Sequence, residues 1–259
     1  MAQKKLAIVT GASTGIGLEL AKLAAQDGYD LVVAADTPLV DAAAALRGLG
    51  AEVTNVEADL STFEGVERLL AATQGRAVDA LLANAGHGLG HAFLEQDPAQ
   101  WRHVIDTNIT GTIYLVQKVA RQMVARGEGR ILITGSIAGH IAGAFQAVYN
   151  GSKAFIDSFA DALGNELKDT PVTVTCLKPG ATETEFFDRA GMADTKVGTA
   201  KKDDPADVAR TGYEAMLAGE RSVVHGLANK LQVAGAKVLG GGVAAEMHRK
   251  LAEPGSAKS

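Results

Sequence analysis

The sequence predicts an α/β protein, a parallel sheet of about seven strands with helices on both faces, folded as a single doubly wound domain over residues 1–259. Three observations predict it. Short apolar runs alternate with longer helical patterns along the chain. The first run opens directly into a glycine-rich turn. No internal repeat or long linker divides the 259 residues, a length that suits one large domain. Strand–helix–strand alternation requires crossover connections, which are right-handed and cover both sheet faces.

The elements follow in order. Residues 6–9 form the first strand, and Leu18, Leu20, Ala21 and Leu23 continue the turn as a helix. Residues 31–35 are the second strand; Thr37-Pro38 then reads as an N-cap with proline in the first helical position. Residues 53–56 are the third strand, and Ser61-Thr62-Phe63-Glu64 reads as a capping box. Residues 80–83 are the fourth strand, before Asp97-Pro98 caps a long helix running towards Arg126. Residues 130–134 are the fifth strand. A second long helix over 147–167 spaces Phe155, Phe159, Leu163 and Leu167 by four, and residues 172–177 are the sixth strand. Asp204-Pro205 starts a further helix, and 221–224 forms a last short strand. Residues 186–203 are charged and irregular, a substrate lid or a surface connection. Residues 226–259 form a C-terminal extension whose tail, from Pro254, reads as disordered.

Composition narrows the function. Hydrophobic residues make up 47 %, enough for a full core, and the net charge of −5 with no basic block argues against nucleic acid as a partner. The single cysteine, Cys176, has no thiol partner for a disulfide or metal site and reads as a small core residue. The apolar run after Lys4 and Lys5 is too short for a signal peptide, and no stretch approaches the ~20 apolar residues of a membrane helix. A cytoplasmic protein is the expectation.

The turn Thr10-Gly11-Ala12-Ser13-Thr14-Gly15-Ile16-Gly17 lies between a strand and a helix, the context a pyrophosphate-binding turn requires. Gly11 permits the tight turn, Gly15 lets backbone approach phosphate, and Gly17 lets helix pack on strand. The helix N-terminus then offers N–H donors and partial positive charge. An ordinary strand–helix turn is the alternative. Asp36 lies 36 − 17 = 19 residues after Gly17, near the spacing of ~20 for an acid on the adenosine ribose. A carboxylate there repels a 2′-phosphate. No Arg or Lys occurs in 10–17 or 31–46, so NAD is favoured over NADP. Asp36 also suits the start of a helix. Asp59 reads equally as an acceptor for the adenine amino group or as a turn residue before the next helix.

Tyr149 and Lys153 stand one helical turn apart and share a face. By itself such a pair is commonly a solvated helix pair. Here Ser136 ends the preceding strand, and the cofactor turn lies upstream. A phenol of ordinary pKa near 10 needs help to act as acid or base, and a neighbouring ammonium lowers it. Ser136 suits the substrate oxygen on which charge develops. The expected reaction interconverts a secondary alcohol and a ketone, with Tyr149 moving the proton and the cofactor the hydride.

With these pieces, and with Asn84-Ala85-Gly86, Asn108 and Pro179-Gly180, the chain resembles the short-chain dehydrogenase/reductase family over residues 5–225. The three-then-one spacing of Gly11, Gly15 and Gly17 is similar to its short oxidoreductases. The resemblance implies a Rossmann fold and a tetrad of Asn108, Ser136, Tyr149 and Lys153, with Asn108 helping to hold a water chain to Lys153. It implies cofactor contacts from Gly11, Ser13, Gly15, Ile16, Gly17, Asp36, Asp59, Leu60, Asn84, Ala85, Gly86, Tyr149, Lys153, Pro179, Gly180, Thr182 and Thr184, with Thr184 at the nicotinamide amide and Lys153 at its ribose. It also implies a homodimer or homotetramer built through the two long helices. Many NAD-using relatives carry their acid one position earlier, where Ala35 stands; NADP-using relatives often place arginine where Asp36 stands. An NADP-dependent carbonyl reductase and a non-catalytic, dinucleotide-binding redox sensor are the alternatives.

His87 and His91, four apart with two glycines between them, suit a loop at the substrate mouth better than a helical metal site, and no metal is expected. Phe93, Ile141, Phe145, Phe186 and Phe187 read as substrate wall or plain core.

Overall fold

The computed structural model describes residues 4–238 and 240–258. Seven strands, β1 (Leu6–Thr10), β2 (Asp30–Ala35), β3 (Val53–Glu57), β4 (Ala80–Ala83), β5 (Gly129–Thr134), β6 (Val172–Lys178) and β7 (Ser222–Val224), form one sheet. Its order is β3-β2-β1-β4-β5-β6-β7. Every neighbouring pair is parallel. The chain winds outward from β1 in one direction and returns through β4 in the other. The crevice at the carboxyl ends of these two strands is therefore the switch point where ligands bind.

Among the described residues, eleven helices connect and flank the strands: α1 (Gly15–Gln26), α2 (Val40–Gly48), α3 (Phe63–Ala71), α4 (Pro98–Ile105), α5 (Thr112–Arg126), α6 (Ala147–Glu166), α7 (Phe186–Arg189), α8 (Lys196–Thr199), α9 (Pro205–Ala218), α10 (Leu227–Val238) and α11 (Gly241–Ala252). Strand side chains alternate between faces, and the core divides accordingly. Leu6 and Ile8 pack with Val116, Val119, Met123 and Ile156 on one face. Ala7 and Val9 pack with Leu20, Ala24, Val208 and Met216 on the other. The predicted doubly wound Rossmann architecture is the one observed.

Local chemistry differs from the sequence expectation at several points. Thr37 does not cap α2: its hydroxyl donates to Ser13 Oγ at 2.9 Å. The helix begins only at Val40, after the fully buried Leu39 has entered the core. Before α3 the cap is Thr62, whose Oγ1 accepts from the Gly65 N–H at 3.0 Å. Ser61 instead donates its N–H to Asp59 Oδ1 at 2.9 Å. The capping box fails because its third position is Gly65, where a Cβ would stand 1.9 Å from the Asp59 carbonyl. Asp97 does cap α4, accepting from the Ala99 N–H at 2.8 Å. The long helix from there is interrupted, however, by a π-helical stretch, Asp106–Gly111. The irregular 186–203 segment contains α7 and α8. The tail is ordered as far as it is described: Ser256–Lys258 forms a 3₁₀ turn, and the Ala257 N–H donates to the Asp194 carbonyl at 3.0 Å. Ser259 lies outside the described residues.

Candidate active site

One cavity of ≈ 410 Å³ runs across the carboxyl ends of the central strands. At one end is the glycine turn. Gly11 and Gly15 have φ of +66° and +58°, which only glycine adopts without strain. A Cβ on Gly15 would stand 2.7 Å from Thr184 Cγ2, and one on Gly17 would stand 2.0 Å from the Gly11 carbonyl oxygen. The Thr14 side chain makes no cap hydrogen bond to α1. The first-turn N–H groups are therefore left for an anion, and the missing Cβ atoms leave room for backbone to meet phosphate. This cradle fits a dinucleotide pyrophosphate.

Asn84 ties the central strands together beside the turn. Its N–H donates to Thr10 Oγ1 at 2.9 Å, its Nδ2 to the Thr10 carbonyl at 3.2 Å, and its Oδ1 accepts from Thr134 Oγ1 at 3.1 Å. Gly86 faces Asn108 Oδ1 and Lys153 Nζ, which a Cβ there would meet at 3.1 and 3.5 Å.

Tyr149, Lys153 and Ser136 line the same cavity, and all three are buried. The Tyr149 ring packs on Phe186 with centroids 5.1 Å apart. Lys153 Nζ donates to the Thr134 carbonyl at 2.8 Å and lies 6.0 Å from the Tyr149 ring centroid. Ser136 Oγ accepts from the Ala138 N–H at 3.1 Å. Burial pushes the Tyr149 phenol up to about 12, against the pull of its hydrogen bond with Ser136. Burial brings the Lys153 ammonium down to about 8, against the field of Asp157. The expected lowering of the phenol by Lys153 is not what sets it among the protein's own groups: desolvation dominates, with Ser136 pulling down and Asp157 pushing up.

The cavity also brings together Gly11, Ser13, Gly15, Ile16, Asp36, Asp59, Leu60, Asn84, Ala85, Gly86, Pro179, Gly180, Thr182 and Thr184. Gly17 and Asn108 are not on its wall. Gly17 lies beneath the turn. The Asn108 side chain is engaged behind the wall, accepting from the His87 N–H at 2.8 Å and donating to the His87 carbonyl and to Ser152 Oγ, both at 2.9 Å. Asp59 both lines the cavity and closes the turn at Ser61.

Of the aromatic candidates, Phe186 and Phe187 line the cavity with Ile141. Phe145 packs against the small cluster of Phe187, Ala190, Met192 and Ala252, and Phe93 is exposed. His87 lines the cavity beside Asp36: its Nε2 is 3.0 Å from Asp36 Oδ2. This bond holds the Asp36 carboxyl below the usual carboxylate range. His91 is not on the wall; it stands where a Cβ on Gly191 would touch its ring at 3.0 Å. Sequence reasoning missed Arg189, Gln146 and His248, which also line the cavity. His248 comes from α11, and its Nδ1 is 2.9 Å from the Ala144 carbonyl. Gln146 precedes α6, the helix of Tyr149 and Lys153, whereas Arg189 on α7 and His248 on α11 reach the cavity only because those late helices fold back over the sheet.

The family model described as short chain dehydrogenase matches residues 5–194. The chain belongs to the short-chain dehydrogenase/reductase family. A putative ketoacyl reductase of Streptomyces coelicolor is 36 % identical over 186 residues, covering 70 % of this chain and 71 % of that protein. A short-chain dehydrogenase/reductase from Burkholderia phymatum, solved in complex with NAD, superposes with TM-score 0.80 at 26 % identity, covering 90 % of this chain and 92 % of that one. A short-chain dehydrogenase from Sphingobium yanoikuyae, solved in complex with NADPH, gives TM-score 0.80 at 27 % identity, covering 90 % and 94 %. As a member of this family the chain is an oxidoreductase of the kind that uses a nicotinamide dinucleotide. Among the described residues no helix is long and apolar enough to cross a membrane.

Proposed function

We propose that this short-chain dehydrogenase/reductase is an NAD-dependent enzyme that interconverts a secondary alcohol and a ketone, with Tyr149 as general acid/base. The observation that carries the reading is the convergence of Tyr149, Lys153 and Ser136 on the cavity that also holds the glycine turn. The cofactor, when bound, supplies or accepts the hydride. Gly11, Ser13, Gly15 and Ile16 would hold its pyrophosphate on the N-terminus of α1, and Asp36 its adenosine ribose. Lys153 and Thr184 would hold its nicotinamide half.

The protein's own part is proton handling and orientation. Ser136 Oγ bonds the substrate oxygen. Tyr149, kept protonated by burial, donates its phenolic proton to that oxygen as a carbonyl becomes an alcohol; in the reverse direction it takes the proton back. Lys153, cationic at neutral pH, favours the phenolate left behind. A proton returns from solvent along the side of Lys153. The π-helical stretch around Asn108 supports a water there through backbone, since widened helical hydrogen bonding releases main-chain groups and the Asn108 amide is already committed to His87 and Ser152. Phe186, Phe187 and Ile141 give the substrate end an apolar wall. Residues 186–203 act as its lid, α10 and α11 as its rim.

Replacing Tyr149 with Phe tests this reading. Turnover of a panel of secondary alcohols and ketones should fall by about 10²–10⁴-fold, while calorimetric NAD binding stays within about twofold. Retained turnover overturns the mechanism. Loss of all dinucleotide binding in the wild type would favour neither enzyme nor sensor.

The NADP reading has one observation in its favour. Arg189 lines the cavity and lies close enough to Asp36 to help lower its carboxyl, so a cation is at hand for a 2′-phosphate. Comparing NAD and NADP affinities in the wild type and in Arg189→Ala decides between them. We assign the working enzyme to the cytoplasm, as a homodimer or homotetramer. The support for assembly is an apolar groove on the outer side of α5 and α6, lined by Phe63, Ile113, Val124, Phe159 and Leu163.

A further inference from the structure

Beyond the tetrad, one cluster of metal-ligating side chains joins three separate elements. Asp36 follows β2, His87 follows β4, and His103 lies on α4. One donor atom from each, a carboxylate oxygen and two imidazole nitrogens, lies within 4.8 Å of the others. His87 Nε2 and Asp36 Oδ2 are 3.0 Å apart. The His87 and His103 rings face each other at 4.6 Å between centroids, tilted by 54°.

We propose that Asp36, His87 and His103 form a transition-metal site, best suited to Zn²⁺, and that an ion held there excludes the dinucleotide from the adenosine end of the cavity. Zinc–ligand distances of about 2.0–2.2 Å in a tetrahedron put neighbouring donors about 3.3 Å apart. The His87–Asp36 separation is already close to that edge, so a side-chain rotation of His103 completes the face. The donor set, two nitrogens and one oxygen, suits zinc and its neighbours rather than magnesium or calcium, which take oxygen ligands. Three protein ligands leave the fourth position to water.

The site is also pre-organised. The His87 main chain is clamped on both sides by the Asn108 amide, N–H at 2.8 Å and carbonyl at 2.9 Å. This fixes where the imidazole starts. Asp36 is exposed, and the two histidines are half-buried, so an ion has a path in without unfolding. The sequence pairing of His87 with His91 pointed elsewhere. His91 is turned away in the left-handed region at φ +72°, and the ligands that complete the set come from distant parts of the chain.

The metal reading stands on these three side chains alone. The competition rests on the proposed role of Asp36 at the ribose. The experiment separates the two. Tag-free protein, stripped with a chelator, is titrated with Zn²⁺ by calorimetry. The expected result is one micromolar-range site in the wild type, no comparable binding of Mg²⁺, and an affinity at least about tenfold weaker in His103→Ala and in His103→Gln. Co²⁺ in place of Zn²⁺ should give visible bands of low-coordinate nitrogen–oxygen ligation in the wild type. Zinc bound equally well by both variants, or no band with Co²⁺, overturns the site. NAD is then titrated with and without saturating Zn²⁺: its apparent affinity should fall in the wild type and hold in His103→Ala. If NAD fails to bind even without zinc, the cofactor reading fails while the metal site is judged on the first titration. If NAD binds equally well with zinc in place, the exclusion is wrong.

Discussion

Asn108 grips His87 by both ends of its main chain, accepting from the N–H at 2.8 Å and donating to the carbonyl at 2.9 Å. The same amide reaches Ser152 Oγ on α6 at 2.9 Å. One buried side chain thus ties the loop after β4 to the π-helical stretch and to the helix that carries Tyr149 and Lys153. Asn108→Ala leaves the half-buried N–H and carbonyl of His87 without their side-chain partner. A fully buried orphan costs about 1–3 kcal/mol, and partial access of water to these two brings the expected loss of stability to about 1–3 kcal/mol in all. A denaturant midpoint within error of the wild type would show that the clamp is not a structural tie. Asn108→Asp should do nearly as badly, since it replaces the donor facing the His87 carbonyl with an acceptor.

Asp157 sits behind the reacting centre in a niche that glycines make possible. A Cβ on Gly135 would stand 1.9 Å from its Oδ1, and one on Gly139 2.9 Å from its Oδ2. Its neighbours are the Ser136 N–H, the Cys176 thiol and His140 Nε2, at 3.4, 3.5 and 3.5 Å. Burial raises its carboxyl from the ordinary 3.8 to about 6, against the nearby charges of Lys178 and Lys153. An acid whose folded pKa lies above its unfolded value keeps an extra proton when folded. Its contribution therefore favours the folded chain on the acid side and is lost as pH rises from about 4 to about 6. The gap corresponds to at most about 3 kcal/mol. Asp157→Asn removes this titration, so relative to the wild type it should gain about 1–3 kcal/mol between pH 4 and pH 7. Parallel stability curves for the two proteins across that range would contradict the raised carboxyl.

Most of the sheet was legible because its strands are short apolar runs with glycine or proline at their borders, a local signal. The glycine turn was legible for the same reason: Gly11, Gly15 and Gly17 are close in sequence and meet one ligand. The caps at Thr37 and Ser61 were misread because a capping residue is chosen by what else competes for its hydroxyl. Thr37 is taken by Ser13, a neighbour only in space. Among the site residues, those lining the cavity from strand ends could be inferred from position. Arg189 and His248 could not, because α7 and α11 reach the cavity through tertiary packing that no short motif encodes. The phenol's high pKa was also hidden, since burial depends on the whole wall around Tyr149 rather than on its spacing to Lys153.

Lys153 sets the alkaline limit of the proposed chemistry. Its ammonium is buried and held on the Thr134 carbonyl at 2.8 Å, and burial lowers it to about 8. A base lowered in this way carries its charge below about 8 and loses it above. Tyr149, held near 12, stays protonated over the same range. In the direction of carbonyl reduction, kcat/KM should therefore be level near neutral pH and fall above about 8, approaching tenfold for each further pH unit. Lys153→Arg keeps a cation at every accessible pH but cannot match the compact ammonium. Its activity should be lower throughout, by about tenfold or more, and its profile level through pH 9. Lys153→Met should be lower still and equally level. If the limb near 8 survives in Lys153→Arg, it belongs to another group, and the ammonium's charge is not what the proton transfer depends on.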